Sequence, residues 1–328
     1  MRVRRLTSGL LLVGLLLFGL VAPAGAQVKL RFAHTLTPQN SLHLMGEEFA
    51  RRVAAKTQNG VQVQVFPAGQ LGNDPQIIDG VRLGTIDMIM AGNPFFTSLI
   101  PELNIFDLPF LFRDYDHAYK VLDGPVGADL LRLLEKHDMK PVGILELGFR
   151  NLTNSKRPVR APEDVKGLRI RTTPNPAHIQ AFRLLGANPV PMPITEVYLA
   201  LSTGTVDGQE NPTAQIEEQK FYEVQKYLSL TYHAYTSSIA VMNLKKFQAL
   251  KPEHQKALQE AMQEARDWGR RLNRELDGKA LAKMKAAGMQ VEENPNRDAF
   301  RKIVADPTAE EYTKKFGTET LEKIRNTR

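Results

Sequence analysis

The segment VKLRFAHTLTPQNSLHLMGEEFARRVAAKTQNGVQVQVF, residues 28–66, predicts one strand, one helix and a second strand. Val28–Ala33 alternates apolar and polar residues, which is typical of a half-buried strand, and Val61–Phe66 repeats the pattern. Between them, from Ser41 onward, apolar residues recur at helical spacing. A strand, a helix and another strand in this order are typical of α/β proteins, in which a helix connects two parallel strands.

The same alternation continues along the chain. Further helices are predicted at Asp74–Leu83, Ala118–Leu134, Pro176–Leu185, Thr195–Ser202, Pro252–Leu281 and in the charged tail 294–328, and further strands at Ile86–Met90, Lys140–Gly148, Leu168–Arg171, Val206–Gly208 and Ser238–Asn243. This pattern predicts an α/β fold with mostly parallel strands. No linker rich in Pro, Gly or Ser separates two halves, so two domains would require the chain to cross between them more than once.

The first 26 residues have the layout of a secretory signal peptide. Three arginines lie within the first five residues, Leu10–Val21 is an apolar run, and the small residues Ala24-Gly25-Ala26 follow it. The run is shorter than the roughly 20 residues of a membrane-spanning helix, so we expect cleavage after Ala26 rather than an anchor. The mature protein would be periplasmic and 302 residues long, a length at which two domains are expected.

Composition narrows the classes of function. Hydrophobic residues make up 42% of the chain, which is enough for a packed core, and the absence of cysteine excludes disulfides, thiol catalysis and cysteine metal ligands. The net charge of +7 includes three leader arginines, and the remaining basic residues are scattered. A nucleic-acid surface needs a clustered basic patch, so we expect no nucleic-acid partner, although a mildly positive protein attracts anions.

The common sequence motifs of enzymes are missing. The chain contains no G-x-S-x-G nucleophile elbow and no glycine-rich phosphate loop after a strand, and none of its seven histidines has metal-ligand spacing with a second ligand on a helix. We therefore expect a binding protein that has no catalytic residue, metal or cofactor. The alternative is a secreted α/β hydrolytic enzyme that acts on an anionic substrate.

Two arginines and one asparagine stand out near predicted strand ends. Arg150 follows an apolar strand and lies next to Phe149, Arg171 ends the segment DVKGLRIR, and Asn211 lies in the segment TVDGQENP. A guanidinium group binds a carboxylate through two parallel hydrogen bonds, and ligands of open α/β sheets bind at the carboxyl ends of strands. A single arginine at such a position is usually a surface ion-pair partner, but two arginines with an asparagine predict a carboxylate pocket.

Five segments of the sequence form a recognisable set. They are FPAGQLG (66–72), GTIDM (84–88), KGLRIR (166–171), PMPITEVYLAL (191–201) and VDGQENP (206–212), of which the last is the most specific. From about Val28 to about Lys315, the chain resembles the DctP-type solute-binding proteins of tripartite ATP-independent periplasmic (TRAP) transporters. The resemblance implies that Arg171 clamps a substrate carboxylate, and that Arg150 and Asn211 are the second arginine and the asparagine of the site.

The resemblance also implies a fold and a mode of action. The fold is a two-domain, periplasmic binding protein-like α/β structure with the ligand cleft between the domains and a long helix that spans both. Residues 27–149 with 237–276 would form domain I, and residues 150–236 with 277–328 would form domain II. We expect a monomer that captures a small organic acid anion and delivers it to a small and a large TRAP membrane subunit. A binding protein of another transporter or of a sensor system is a further alternative.

The remaining ligand contacts would vary with the substrate. We expect the domain I side of the cleft to be built from four side chains, those of His34, Thr35, Asn73 and Asn93. His34 is either a donor to the ligand or a turn residue, and Asn175 is either a contact to a ligand hydroxyl group or a helix cap. C4-dicarboxylates and sugar acids such as uronates are both candidate ligands. Sialate is disfavoured, because sialate-binding relatives carry acidic residues at the positions of Asn73 and Gly92.

Overall fold

The computed structural model describes residues 27–328, so the predicted signal peptide and its cleavage after Ala26 fall outside the described residues. In this range the strands are Val28–Ala33 (β1), Val61–Phe66 (β2), Met88–Gly92 (β3), Met139–Asn154 (β4), Arg169–Thr172 (β5), Asn188–Pro191 (β6), Gly208–Pro212 (β7), Tyr227–Ser229 (β8), Tyr235–Asn243 (β9) and Gln290–Glu292 (β10). The helices are Ser41–Lys56 (α1), Asp74–Leu83 (α2), Tyr115–Leu122 (α3), Pro125–Arg132 (α4), Pro176–Leu184 (α5), Ile194–Ser202 (α6), Thr213–Glu218 (α7), Leu244–Gln248 (α8), Pro252–Ala286 (α9), Arg297–Phe316 (α10) and Glu319–Asn326 (α11).

The strands form one mixed sheet in the order β2-β1-β3-β9-β4-β7-β5-β6, with β8 pairing β4 and β10. Five of the nine strand pairings in residues 27–328 are parallel and four are antiparallel. The predicted majority of parallel pairings is therefore present but slight, and the sheet is mixed. All four antiparallel pairings involve β4 or β9, because these two long strands run against each other and against their neighbours at the centre of the sheet.

Strand β4 joins two halves of the sheet. Its first part pairs with β9, and its last part, from Arg150 to Asn154, pairs with β7. The register shifts between Glu146 and Gly148, where Gly148 has a φ of 120°, a left-handed backbone conformation that favours glycine. The sequence predicted that this strand would end at Gly148, but the bulge allows it to bend and continue. Arg150 therefore lies within a strand and not just after one.

A second difference concerns the predicted helix Ala118–Leu134, which is two helices, α3 and α4. The break falls at Gly124-Pro125, and Pro125 is the first residue of α4. Proline disfavours helical backbone at the residue before it and suits the first position of a new helix, so this dipeptide ends one helix and starts another.

The long helix α9 packs against both halves of the molecule. It has 35 residues, which corresponds to a length of about 50 Å, and it contacts α1, β4 and α7. Near its start Met262 belongs to the core that contains Phe32 of β1, and near its end Met284 belongs to the core that contains Phe221 and Leu228. One helix thus ties together two separate hydrophobic cores. No helix among residues 27–328 is long and apolar enough to cross a membrane.

Candidate functional site

A cavity lies where the two halves of the sheet meet, and about 450 Å³ of it is free of protein atoms. Its walls come from the loop after β1, the start of α2, the end of β3, strands β4, β5, β7 and β9, and helix α7. The polar side chains of the wall are Thr35, Asp74, Arg150, Arg171, Thr173, Asn211, Gln215, Thr236 and Ser238.

Arg150 is already paired within the protein. Its Nε and Nη2 donate to the two carboxylate oxygens of Glu210, with 3.0 Å between Nη2 and Oε1. Nη2 also donates to Asn211 Oδ1 at 3.1 Å, and Nη1 donates to Thr236 Oγ1 at 3.2 Å. The side chains of Arg150 and Glu210 are 1% and 0% exposed. The charge of Arg150 is therefore neutralised by a neighbouring strand of the same sheet.

Arg171 is equally buried but has no anionic partner. Its Nε and Nη2 donate to the backbone carbonyl of Met192 at 3.0 and 2.6 Å, while Nη1 has no hydrogen-bond acceptor among the described residues. No carboxylate in residues 27–328 forms an ion pair with it. Burial lowers the pKa of Arg171 to about 10, because a charged group loses hydration in the protein interior. The free Nη1 and the lack of an ion-pair partner leave this guanidinium able to bind an anion.

Asn211 is oriented by two hydrogen bonds. Its Oδ1 accepts from Arg150, and its Nδ2 donates to Gln209 Oε1 at 2.6 Å. It lies within β7, opposite Asn151 of β4. The amide has a second N–H, because Nδ2 carries two protons, and this N–H is available to an acceptor in the cavity.

On the other wall, Thr35 and Asp74 form a buried pair. The Thr35 hydroxyl donates to the Asp74 carboxylate, with both oxygens at 3.0 Å. Burial raises the pKa of Asp74 to about 6, although the Thr35 hydrogen bond and the charge of Arg171 act in the opposite direction. An ionised Asp74 offers hydrogen-bond acceptors to whatever occupies the cavity.

Three residues that the sequence placed in the cleft do not line this cavity. Asn73 is the N-cap of α2, and it forms a reciprocal capping box with Gln76. His34 contacts His43 through its Nε2 at 3.1 Å and accepts from the Leu36 backbone N–H through Nδ1. Phe149 packs edge-on against two tyrosine rings, those of Tyr115 and Tyr235.

Asn93 and Asn175 lie outside the lining as well, in a separate buried cluster around Asp107. Their Nδ2 atoms donate to Asp107 Oδ2 at 2.6 and 3.0 Å. Asn175 also caps α5 by accepting from the backbone N–H groups of Ala177 and His178. Of the nine predicted site residues, the structure therefore brings Thr35, Arg150, Arg171 and Asn211 together in the cavity wall. The other five support the surrounding elements.

Sequence reasoning missed Asp74, Glu210 and Gln215. The Asn-x-x-Gln spacing of Asn73 and Gln76 is a helix-capping signal, and recognising it would have assigned Asn73 to the cap and left Asp74 for the wall. Glu210 lies next to Asn211 in the segment VDGQENP. A glutamate that is buried within a strand implies a cationic partner. Nothing in the local sequence marks Gln215.

The wall presents both hydrogen-bond donors and acceptors to the cavity. Arg171 and Asn211 supply donors, and Asp74 and Gln215 supply acceptors. Among residues 27–328, no group of three or more His, Asp and Glu side chains is placed to hold a metal ion.

Comparisons with known proteins agree with this picture. Residues 32–315 match the model of the bacterial extracellular solute-binding protein family 7, named DctP. The 2,3-diketo-L-gulonate-binding periplasmic protein YiaO of Escherichia coli is 42% identical over 314 residues, which are 96% of this chain and 95% of that protein. The C4-dicarboxylate-binding periplasmic protein DctP of Rhodobacter capsulatus is 30% identical, with 99% and 98% of the two chains covered.

A solved structure extends the agreement to the fold. A TRAP periplasmic solute-binding protein from Polaromonas sp. JS666, bound to D-erythronate, superposes with a TM-score of 0.90 at 35% identity, with 92% of this chain and 99% of that chain covered. The predicted two-domain α/β architecture with a long helix is confirmed by this match together with α9.

Proposed function

The chain belongs to family 7 of the bacterial extracellular solute-binding proteins, and from this membership we propose that it captures a small organic carboxylate in the periplasm and delivers it to the membrane subunits of a TRAP transporter. The predicted resemblance to DctP-type proteins is thereby confirmed. The observation that carries the proposal is Arg171, a guanidinium that is 1% exposed, has no paired carboxylate and lies in the cavity wall.

In this proposal the ligand carboxylate accepts one hydrogen bond from Arg171 Nη1 and another from the free amide N–H of Asn211. Arg150 donates through its remaining Nη1 proton, and Thr35 contributes from the opposite wall. The five other predicted residues, His34, Asn73, Asn93, Phe149 and Asn175, hold the walls in position. The ligand class includes sugar acids and C4-dicarboxylates. YiaO is a 2,3-diketo-L-gulonate-binding protein and the Rhodobacter protein is a C4-dicarboxylate-binding protein.

Further parts of the proposal concern processing and assembly. The mature chain begins at Gln27, it is a monomer, and its lobes are residues 27–149 with 237–276 and residues 150–236 with 277–328. The lobes close on the ligand, and a small and a large membrane subunit receive it. The protein returns the acid chemically unchanged, in keeping with a family of transport proteins.

A panel of organic acids tests the proposal by thermal unfolding. An acid present at a hundred times its dissociation constant stabilises the folded state by about 2.7 kcal/mol, which raises Tm on the order of 5 °C. We expect such a shift with at least one acid, no shift with its methyl ester, and no altered product in the NMR spectrum of the recovered ligand. A panel of sugar acids and C4-dicarboxylates without any stabilising member would contradict the proposal.

A further inference from the structure

The charged side chains of the cavity wall do not contribute equally to its net charge. Arg150 is neutralised by Glu210 through a bidentate pair. Arg171 has no carboxylate partner in the part of the chain that the structure describes, and Asp74 faces the same cavity as an unpaired anion. The wall therefore offers one cation and one anion, neither of which is held in an ion pair.

A ligand with two carboxylates fits this arrangement poorly. Its first carboxylate would bind Arg171, but no second uncompensated cation lines the cavity for the other one. The second carboxylate would instead approach Asp74, and two like charges within a site enclosed by buried side chains repel each other. An unpaired charge of this kind discriminates against a wrong ligand without adding affinity for the right one.

The same wall contains two hydrogen-bond acceptors that need donors. The Oε1 atom of Gln215 is buried and has no hydrogen-bond partner, and its residue is 4% exposed. Asp74 accepts only the Thr35 hydroxyl among side chains, although a carboxylate has about four acceptor positions. A buried acceptor without a donor is costly, and a ligand hydroxyl group removes that cost by donating to it.

We propose that this cavity selects acids that carry one carboxylate and several hydroxyl groups, and that Asp74 and Gln215 accept hydrogen bonds from those hydroxyl groups. The proposal rests on the proposed function, because it assumes that Arg171 holds the carboxylate. It narrows the ligand class from organic acids in general to polyhydroxy monocarboxylates and makes dicarboxylates of the same length poor ligands.

Two pairs of acids with matched carbon chains test the selection by titration calorimetry. D-Erythronate and succinate both have four carbons, and D-galactonate differs from galactarate only in a terminal hydroxymethyl group in place of a carboxylate. We expect wild-type protein to bind at least one of the two monocarboxylates, and to bind it at least tenfold more tightly than its dicarboxylate partner. Equal or tighter binding of the dicarboxylate overturns the selection but leaves the proposed function intact. If none of the four acids binds, the selection is overturned, while the proposed function is decided by the wider panel of organic acids.

Two variants test whether Asp74 and Gln215 are responsible for the selection. Asp74→Asn should weaken the monocarboxylate about tenfold and strengthen the dicarboxylate, since it removes the negative charge. These opposite shifts cannot come from general loss of structure, which weakens both ligands. Gln215→Leu should weaken only the monocarboxylate, by about tenfold. Asp79→Asn is the matched control, because Asp79 lies on the exposed face of the same helix and pairs with Arg82; it should leave both affinities unchanged. Equal weakening of both ligands by Asp74→Asn and by Gln215→Leu overturns the proposal.

Discussion

Arg150 and Glu210 lie on adjacent antiparallel strands and form a fully buried ion pair, with Arg150 Nη2 donating to Glu210 Oε1 at 3.0 Å. Burial by itself would raise the pKa of Glu210, but the charge of Arg150 and a hydrogen bond with His233 outweigh it and hold this pKa well below its usual range. Both charges depend on each other, because a buried ion without a partner is strongly unfavourable.

Glu210→Gln should therefore destabilise the protein severely. Removing one member of a buried pair costs about 3–5 kcal/mol, because the remaining charge stays buried and uncompensated. Urea denaturation should show a lower midpoint at the same slope. The double variant Arg150→Met/Glu210→Met, which removes both charges, should recover most of the loss. A single variant within about 1 kcal/mol of wild type would show that Arg150 finds another partner.

Arg171→Ala should weaken binding of the carboxylate ligand at least tenfold. A hydrogen bond between charged groups contributes about 1.5–3 kcal/mol, and each 1.4 kcal/mol corresponds to a factor of ten in affinity. Arg171→Lys should restore only part of the loss, because lysine keeps the charge but not the planar fork. Titration calorimetry on folded variants, verified by circular dichroism, measures both effects.

Arg169→Ala is the matched control for this series. Arg169 lies two residues earlier on β5, but its Nη2 pairs with Asp207 at 2.9 Å and its side chain is 45% exposed. The variant should retain nearly wild-type affinity. If Arg169→Ala loses binding while Arg171→Ala keeps it, the carboxylate is bound elsewhere.

The predictions from sequence succeeded where a pattern is local. The alternation in Val28–Ala33 and Val61–Phe66 predicted β1 and β2 at the residues where the structure has them, and the helical spacing predicted the start of α1 at Ser41. The long helix was also predicted, with its start at Pro252, and it continues five residues beyond the predicted end at Leu281. Helix and strand periodicity is a property of neighbouring residues, so it can be read from the sequence alone.

Other features depend on contacts between distant residues. The antiparallel pairing of β4 with β9 and β7 arises from partners that are far apart in sequence, and no local pattern contains it. Similarly, the choice between Asn73 and Asp74 as the residue facing the cavity is decided by which of them caps α2. The neutralisation of Arg150 by Glu210 could not be predicted either, because it requires the register of two strands.

Ligand binding should compact the protein. Side chains from both proposed lobes line the cavity, so a ligand that contacts both favours the closed arrangement. Small-angle scattering should show a smaller radius of gyration in the presence of a saturating bound acid. Arg171→Ala at the same acid concentration should show no change. An unchanged radius for the wild-type protein at saturation would contradict closure.

Asp107 should make the protein less stable as pH rises. This carboxyl is 0% exposed, it accepts from Asn93 and Asn175, and its Oδ1 has no hydrogen-bond partner in residues 27–328. Burial raises its pKa to about 8, with Glu210 acting in the same direction and Arg150 in the opposite one. Because the folded-state pKa lies above the ordinary value, the stability that the proton contributes is complete below about pH 4 and is lost as pH rises through about 8.

Asp107→Asn tests this, because asparagine resembles the protonated acid and does not ionise. The Tm advantage of the variant over wild type should grow with pH and be at least about 2 °C larger at pH 8 than at pH 5, measured by circular dichroism. His178 lies 4.0 Å from Asp107, and burial lowers its pKa to about 3. Its protonation in the unfolded chain affects wild type and variant alike, so it does not produce the difference. Burial also raises the pKa of Glu218 to about 8. The stability of the variant should therefore still decrease somewhat between pH 5 and pH 8. Asp79→Asn, on an exposed helix face, should match wild type at both pH values. A variant that is less stable than wild type at pH 8 would show that Asp107 is ionised in the fold and that its charge is compensated there.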